Sequence, residues 1–348
     1  MTSDPGAYVP MRRTVRPRAA SETVVTQADT QGSLSDEAIE AGYDEPLVRA
    51  LLVDQHPDLA GRPPARVAGG WDNQLWRLGD DLAVRLPRTA RADALLLREH
   101  RWVPALAPSL PLPVAVPLRL GVPSARFPRP WTIAAWVPGT PADQAPAAAP
   151  SSAEVLGGFL RALHSPAPDG APVNPGRSGG LAEYSQGIHS NFQAAGFGSL
   201  SPEIRGVWDA AISAPQWNGP PVWVHADLHP ANVVTSGGAL AGVVDFGEIS
   251  AGDPAVDLAA AWLLLPSGSV SRCFAAYAAA GQGAGEPSAP GGEPVLDRDL
   301  VRRARGFALR ASSALLAVGR AGERGEPGGK ISWGAAGRIA LERILAEG

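Results

Sequence analysis

The 348-residue sequence has one cysteine, Cys273, and one lysine, Lys330. A single cysteine excludes an internal disulfide and fits a reducing compartment. A single lysine, close to the end, means that any anion held by the first half of the chain is held by arginine. No apolar run approaches the ~20 residues of a membrane span, and the first residues lack the apolar core of a signal peptide. A cytoplasmic protein without a membrane partner is expected. Charged residues are sparse at 18%, and the formal net charge of −4 gives no electrostatic reason to expect nucleic acid as a partner. Hydrophobic residues make up 45%, enough for a globular chain with two lobes and two cores. The Ala, Gly, Pro and Arg bias is that of a GC-rich genome, which accounts for scarce lysine without a functional cause.

Chemistry concentrates between Trp223 and Gly247. Val222-Trp223-Val224 is a short apolar run that reads as a buried strand. Asn232-Val233-Val234 and Leu240 to Val244 are two more, joined by Ser236-Gly237-Gly238, a hairpin turn. The hairpin returns the chain so that Asp245 comes back beside Asn232. His225, Asp227 and Asn232 have the H-x-D-x-x-x-x-N spacing of a kinase catalytic loop, and Asp245-Phe246-Gly247 is the metal-binding triplet that follows it. One base-like carboxylate and two oxygen ligands would then converge on one cleft. Asp227 would orient and deprotonate an acceptor hydroxyl; Asn232 and Asp245 would hold magnesium against nucleotide phosphates. His225-Ala-Asp227-Leu-His229 is also a possible transition-metal pattern. That reading lacks the further histidines such a site needs, and it leaves Asn232 and the Asp-Phe-Gly triplet without a purpose.

Upstream, residues 1–34 are polar and aperiodic and read as a disordered tail, with Arg12, Arg13, Arg16 and Arg18 together and Met11 as an alternative start. A helix is expected from Ser35 through Leu47, Leu51 and Leu52 to Pro57 or Gly61. A turn at Gly69-Gly70 then leads to strands Gln74–Leu78 and Leu82–Leu86. Paired glycines let the backbone approach phosphates closely, although such a pair is also an ordinary turn. On the second strand Leu82, Val84 and Leu86 share one face, and Arg85 lies on the other. From Arg91 to Val103 a helical stripe of Leu95, Leu96, Trp102 and Val103 includes Glu99. A carboxylate on an apolar stripe needs a partner, unless it lies at the stripe's edge in water. Arg85 is the candidate, giving a pair that would hold the cation against phosphates. Trp131 to Val137 reads as a strand broken by Pro138-Gly139, where backbone groups of Ala135 and Val137 could read an adenine edge.

Downstream, 140–150 reads as a linker and Ser151 to Glu154 as a capping box opening a helix with Leu156, Phe159, Leu160 and Leu163 on one face. His164 closes that helix. Residues 165–180 read as a Pro/Gly loop, and 181–213 as helical segments. Asp253 before Pro254 suits a helix N-cap, and Asp257 lies inside that helix. Both are expected to brace the catalytic loop rather than take part in chemistry. Residues 281–294 are low-complexity, and Leu300–Val318 and Trp333–Leu345 read as the last helices.

With these residues in view, the chain resembles the aminoglycoside phosphotransferase family over residues 36–345. The resemblance is strongest where His-x-Asp-Leu-His-Pro-x-Asn, Val-Asp-Phe-Gly and Gly-Asp-Pro-x-x-Asp-Leu stand in order from His225 to Leu258. It implies an α+β, two-lobed fold similar to that of protein kinases: a nucleotide-binding N-lobe with a small antiparallel sheet (35–137) and a mainly helical C-lobe (138–348). It implies ATP, with GTP as a substitute, and Mg2+ as cofactors, and a small-molecule hydroxyl as acceptor. Asp227 is implied as catalytic aspartate, Asn232 and Asp245 as magnesium ligands, and the backbone of Ala135 and Val137 at adenine. Gly69, Gly70 and Asn73 would lie over the phosphates. Arg85 stands where the family usually has lysine; it keeps the charge but replaces a point charge with a planar fork. That departure motivates a second reading, a non-catalytic nucleotide-binding regulatory module. Antibiotic-like compounds and small metabolites both fall within the acceptor class, because no acidic cluster suited to a polycation is evident. Monomer and homodimer are both compatible with the sequence.

Overall fold

The computed structural model describes residues 42–67, 70–279 and 296–347. The N-terminal tail, the helix start expected at Ser35, Gly69 and the run 281–294 lie outside the described residues. The first described helix, α1, covers Glu45–Gln55, and Asp44 caps it: its carboxylate accepts from Leu47 N–H at 2.9 Å. Five strands follow: β1 (Pro64–Val67), β2 (Asn73–Leu78), β3 (Leu82–Pro87), β4 (Pro117–Gly121) and β5 (Trp131–Ala135). They form one antiparallel sheet in the order β1-β2-β3-β5-β4. Val84 and Leu86 on one face of β3 pack with Val48, Leu51 and Leu52 of α1 and with Trp131 and Ile133, all buried. The alternation along β3 therefore turns Arg85 to the opposite face, towards helix α2 (Ala92–Leu106).

The rest of the chain is mainly helical. Helices α3 (Ser152–Leu163), α4 (Pro175–Ser178), α5 (Ser185–Ala194) and α6 (Pro202–Ile212) precede strand β7 (Val222–Val224). The segment expected as a plain linker contains a short strand, β6 (Thr140–Pro141), which pairs with β8 (Val233–Ser236). Strands β8 and β9 (Ala239–Val243) form the expected hairpin. Gly237 and Gly238 supply its left-handed turn, with φ of 56° and 79°. Strand β10 (Ser250–Gly252) pairs with β7, and helices α7 (Ala255–Leu258), α8 (Ala260–Leu264), α9 (Val270–Ala279), α10 (Arg298–Glu323) and α11 (Ile331–Ala346) complete the fold. No described helix is long and apolar enough to cross a membrane.

Two expectations about helix ends change. Ser151 makes no side-chain cap; the first-turn donors of Ser152 and Ala153 bond instead to the carbonyls of Ala149 and Pro150, and Glu154 pairs with Arg272. Pro254, rather than Asp253, occupies the N-cap of α7, although Asp253 still accepts from Ala255 N–H at 3.0 Å.

The larger core includes Phe159, Leu160, Trp223, Phe246, Trp262 and Phe307, and it reaches into the first half of the chain through Val103 and Val114. Helix α2 thus joins the sheet to the larger core. Close contact between α3 and α9 depends on Gly157: a Cβ there would lie 2.4 Å from the Cys273 carbonyl oxygen. Gly157→Ala should cost about 1–3 kcal/mol in chemical denaturation through overpacking. Cys273 is buried, and burial pushes its thiol up to about 12, with Glu154 adding to the effect. At pH 8 the thiol therefore stays protonated. A thiol reagent should leave it unmodified in the native protein and label it once the chain unfolds.

Candidate active site

Residues from both halves meet at one cleft. Arg85 is delivered by β3 and Glu99 by α2, and the Arg85 guanidinium bonds directly to the Glu99 carboxylate. Its second nitrogen, Nη2, reaches Asp245 Oδ1 at 3.3 Å. Glu99 is fully buried and also accepts from the backbone N–H of Phe246 at 3.3 Å. Burial lowers the Arg85 pKa, but Glu99 and Asp245 outweigh it and raise the net value, so the guanidinium stays charged. The side chain expected to hold phosphates is therefore anchored to the segment carrying the Asp-Phe-Gly triplet.

The catalytic-loop residues are brought together by the hairpin. Val244 N–H donates to the Asn232 carbonyl at 2.9 Å, which sets Asp245 beside Asn232. Asn232 Nδ2 donates to the Asp227 carbonyl at 3.0 Å, leaving its amide oxygen as a ligand. The Asp245 side chain is 50% exposed and its residue is left-handed, at φ 62°. Two hard oxygen donors on one hairpin, one amide and one carboxylate, suit magnesium, whose shell is completed by phosphate oxygens and water. The alternative transition-metal pattern is not assembled. His225 Nε2 faces the Val244 carbonyl at 3.1 Å and its Nδ1 accepts from Asp227 N–H at 3.2 Å, so both ring nitrogens are engaged.

Ala226 is the other non-glycine residue with positive φ among the described residues, at 65°. Its strain is held by Asp257, whose carboxylate accepts from His225 N–H at 2.6 Å and Ala226 N–H at 2.8 Å. Asp257 also faces His164 Nε2 at 3.3 Å, and His164 Nδ1 meets Tyr277 Oη at 2.9 Å. Asp257 thus braces the catalytic loop as read from the sequence, whereas Asp253 does not: its carboxylate pairs with buried Arg303 of α10 at 2.7 Å and accepts from Ala255 N–H at the start of α7. His164 ends its helix, as expected, but belongs to this buried network.

At the turn expected to cover phosphates, Gly70 has φ 83°, and a Cβ there would strike the Asn73 carbonyl at 2.1 Å. Only glycine fits that turn. Asn73 is buried at the start of β2, with its Oδ1 unpartnered among the described residues. At the end of β5, Ala135 N–H donates to Val116 O at 2.8 Å and is not available to a ligand. Val137 N–H has no partner among the described residues, so of these two donors it is the one open to an adenine edge.

Several residues at the cleft were not expected from the sequence. Arg177 places Nη1 2.8 Å from Asp227 Oδ1 and Nη2 3.2 Å from Glu248 Oε1. Glu248 also receives Arg91 at 2.8 Å and Asn174 at 2.7 Å. Burial raises Asp227, but Arg177 outweighs it and holds the carboxyl below the usual carboxylate range. Trp71, beside Gly70, stacks on Trp333 of α11 with ring centroids 6.2 Å apart, and His229 meets Trp333 edge-on at 4.7 Å. These contacts join the glycine turn to the last helix. Residues 172–180 are small, polar or proline apart from Val173 and Arg177 and carry no hydrophobic period, so only the arginine itself could have drawn attention.

Replacing Asp257 with Ala leaves two buried backbone donors unsatisfied. The expected loss is about 2–4 kcal/mol in denaturant titration, with Asp257→Asn, which keeps one acceptor, falling between.

Comparison with known proteins bears on the family and the fold. The sequence profile of the phosphotransferase enzyme family (APH) matches residues 65–291, the stretch from β1 past the catalytic hairpin. No curated protein gives a significant sequence match. Among solved structures, the GDP complex of aminoglycoside 2'-phosphotransferase-IIIa superposes with a TM-score of 0.58 at 16% identity, over 87% of this chain and 99% of that one. The GDP and kanamycin complex of APH(2")-IIIa gives 0.58 at 17%, over 86% and 98%. Macrolide 2'-phosphotransferase MphH from Brachybacterium faecium gives 0.54 at 24%, over 83% and 97%. These likenesses establish the two-lobed, protein kinase-like fold. With the family profile spanning the sheet, the helix of Glu99 and the catalytic hairpin together, the chain belongs to the phosphotransferase enzyme family.

Proposed function

We propose that the chain is a magnesium-dependent O-phosphotransferase that moves the γ-phosphoryl group of ATP, or of GTP, to a hydroxyl of a small molecule. The observation that carries the reading is the junction at Arg85: one guanidinium joins Glu99 of α2 to Asp245 of the metal-binding triplet. Asp245 stands in turn beside Asn232 and Asp227. Phosphoryl transfer needs a phosphate cation, oxygen ligands and a base in one cleft.

In this mechanism Val137 N–H meets the purine edge, and the turn at Gly70 and Asn73 covers the phosphates. Arg85 stabilises their charge. Asn232 and Asp245 would hold magnesium, which when bound neutralises the phosphate oxygens. Asp227 accepts the hydroxyl proton as the acceptor oxygen bonds to the γ-phosphorus. The bond from that phosphorus to the bridging oxygen breaks, giving the phosphorylated acceptor and a nucleoside diphosphate. A lowered Asp227 pKa keeps the base ionised at neutral pH, and its strength is modest, as suits a loose transition state.

Two of the structural relatives are GDP complexes, one of them also holding kanamycin, and a third is a macrolide 2'-phosphotransferase. Aminoglycosides, macrolides and small amino or sugar alcohols are therefore the acceptors to screen, with an antibiotic-modifying role in the cytoplasm as the biological context. Carboxylates near Asp227 are already engaged by arginines: Asp72 by Arg91, and Glu248 by Arg91 and Arg177. This favours acceptors that carry little positive charge. Diphosphate release should be measured with magnesium across this panel. Asp227→Ala should reduce turnover by about 100-fold or more while leaving nucleotide affinity within about twofold. Undiminished turnover in that variant would remove Asp227 from the base role. Tight nucleotide binding without turnover on any acceptor would favour the regulatory module.

A further inference from the structure

We infer that Arg177 is a positioning residue for Asp227, and that a chain of ion pairs ties that position to the glycine turn above the phosphate site. The inference rests on the phosphotransferase reading above and goes beyond it.

Arg177 sits on a rigid support. The carbonyl of Asn174 accepts from Arg177 N–H at 3.0 Å and from Ser178 N–H at 2.9 Å. Tyr184 Oη donates to the Pro175 carbonyl at 2.6 Å and accepts from Gly179 N–H at 3.0 Å. Arg310 donates to the Gly176 carbonyl at 2.9 Å and lies over the Tyr184 ring at 4.0 Å. A four-residue helix is thus pinned by its carbonyls, so that its one long side chain points at the base.

The geometry of the contact is selective. Arg177 holds Oδ1 of Asp227 at 2.8 Å. Among the described residues the other oxygen, Oδ2, has only loose neighbours, Asn232 Nδ2 at 3.5 Å and His229 Nε2 at 3.9 Å. A carboxylate held by one oxygen presents the other, and Oδ2 becomes the atom that takes the acceptor proton. The planar fork matters, because the same guanidinium spans Asp227 and Glu248; an ammonium reaches one carboxylate without fixing the other.

Glu248 then extends the chain. Its Oε1 accepts from Arg177 at 3.2 Å and from Arg91 at 2.8 Å. Arg91 makes two bonds to Asp72, at 3.0 and 2.7 Å. Asp72 lies two residues after Gly70. Asp72, Arg91, Glu248, Arg177 and Asp227 form an unbroken alternation of charge from the phosphate turn to the base. A shift of the turn on nucleotide binding is carried to the orientation of Asp227, and losing an inner link loosens the same carboxylate to a smaller extent than losing the last.

The test uses magnesium-dependent ATP hydrolysis, with water in the acceptor's place, and nucleotide affinity from a fluorescent ATP analogue. Wild-type, Asp227→Ala, Arg177→Ala, Arg177→Lys, Arg91→Ala and the Arg91/Arg177 double variant are compared. Arg177→Ala should lower kcat by roughly 10- to 100-fold, the range expected of a misplaced catalytic group, with the nucleotide Kd within about twofold. Arg177→Lys should recover part of the rate. Arg91→Ala should lose less, and the double variant should be no slower than Arg177→Ala alone. A wild-type rate in Arg177→Ala, or a Kd that rises in step with the loss of rate, overturns the positioning role. Multiplied losses in the double variant overturn the chain. If Arg177→Ala does not fold, Arg177→Lys and Arg91→Ala decide by the same criteria. Wild-type hydrolysis no faster than that of Asp227→Ala would instead count against the phosphotransferase reading. The positioning role is then decided by crystal structures of the nucleotide-free proteins. One Asp227 rotamer in the wild type and a shifted or divided one in Arg177→Ala supports it; the same single rotamer in both overturns it.

Discussion

The contact between the Arg85 guanidinium and the buried Glu99 carboxylate is the constraint on which the site depends. Neither charge is tolerable alone at that depth, since an unpaired buried ion costs several kcal/mol. Together they fix the face of β3 against α2. The second nitrogen of Arg85 and the second oxygen of Glu99 extend the pair to Asp245 and to Phe246 N–H. Three segments, β3, α2 and the distant Asp-Phe-Gly triplet, are thereby registered around one cation. A buried ion pair is weak evidence for stability, and its value here is positional: it puts a fixed positive charge between the sheet and the hairpin.

Around that pair the protein stores strain at two residues. Ala226 and Asp245 are the non-glycine positions with positive φ among the described residues, and both lie at the candidate site. Each is overdetermined by its surroundings. Asp257 holds the backbone on either side of the His225–Ala226 link, while Phe246, fully buried beside His225, anchors the triplet. The strain is compensated by the large helical core, which explains why the catalytic loop belongs to the half of the molecule with more buried apolar surface.

Much of this was legible in the sequence because the residues concerned are near one another along the chain. Asp227 and Asn232 are separated by one tight turn, and the Gly237-Gly238 hairpin returns the chain by a path that two glycines nearly dictate. Arg85 and Glu99 could be paired from strand alternation and a helical stripe, because one short connection separates them. The same logic failed where local signals were misleading. Ser151 looked like a cap until backbone carbonyls of the preceding turn took its role. Thr140-Pro141 looked like a linker until β8 gave it a partner. Ala135 and Val137 looked equivalent, and a bond to Val116 separated them.

By itself the sequence determined the two kinds of element, the catalytic hairpin, the glycine turn and the likeness to a phosphotransferase, since each is encoded in spacings a few residues long. Only the tertiary structure decided what stands against Asp227. Arg177 is 50 residues from Asp227, and Glu248 is 71 from Arg177. Arg177 lies in a Pro- and Gly-rich loop with no hydrophobic period to orient it. Its direction is set by Tyr184 and Arg310 from two other helices, and a contact of that kind exists only once those helices have packed.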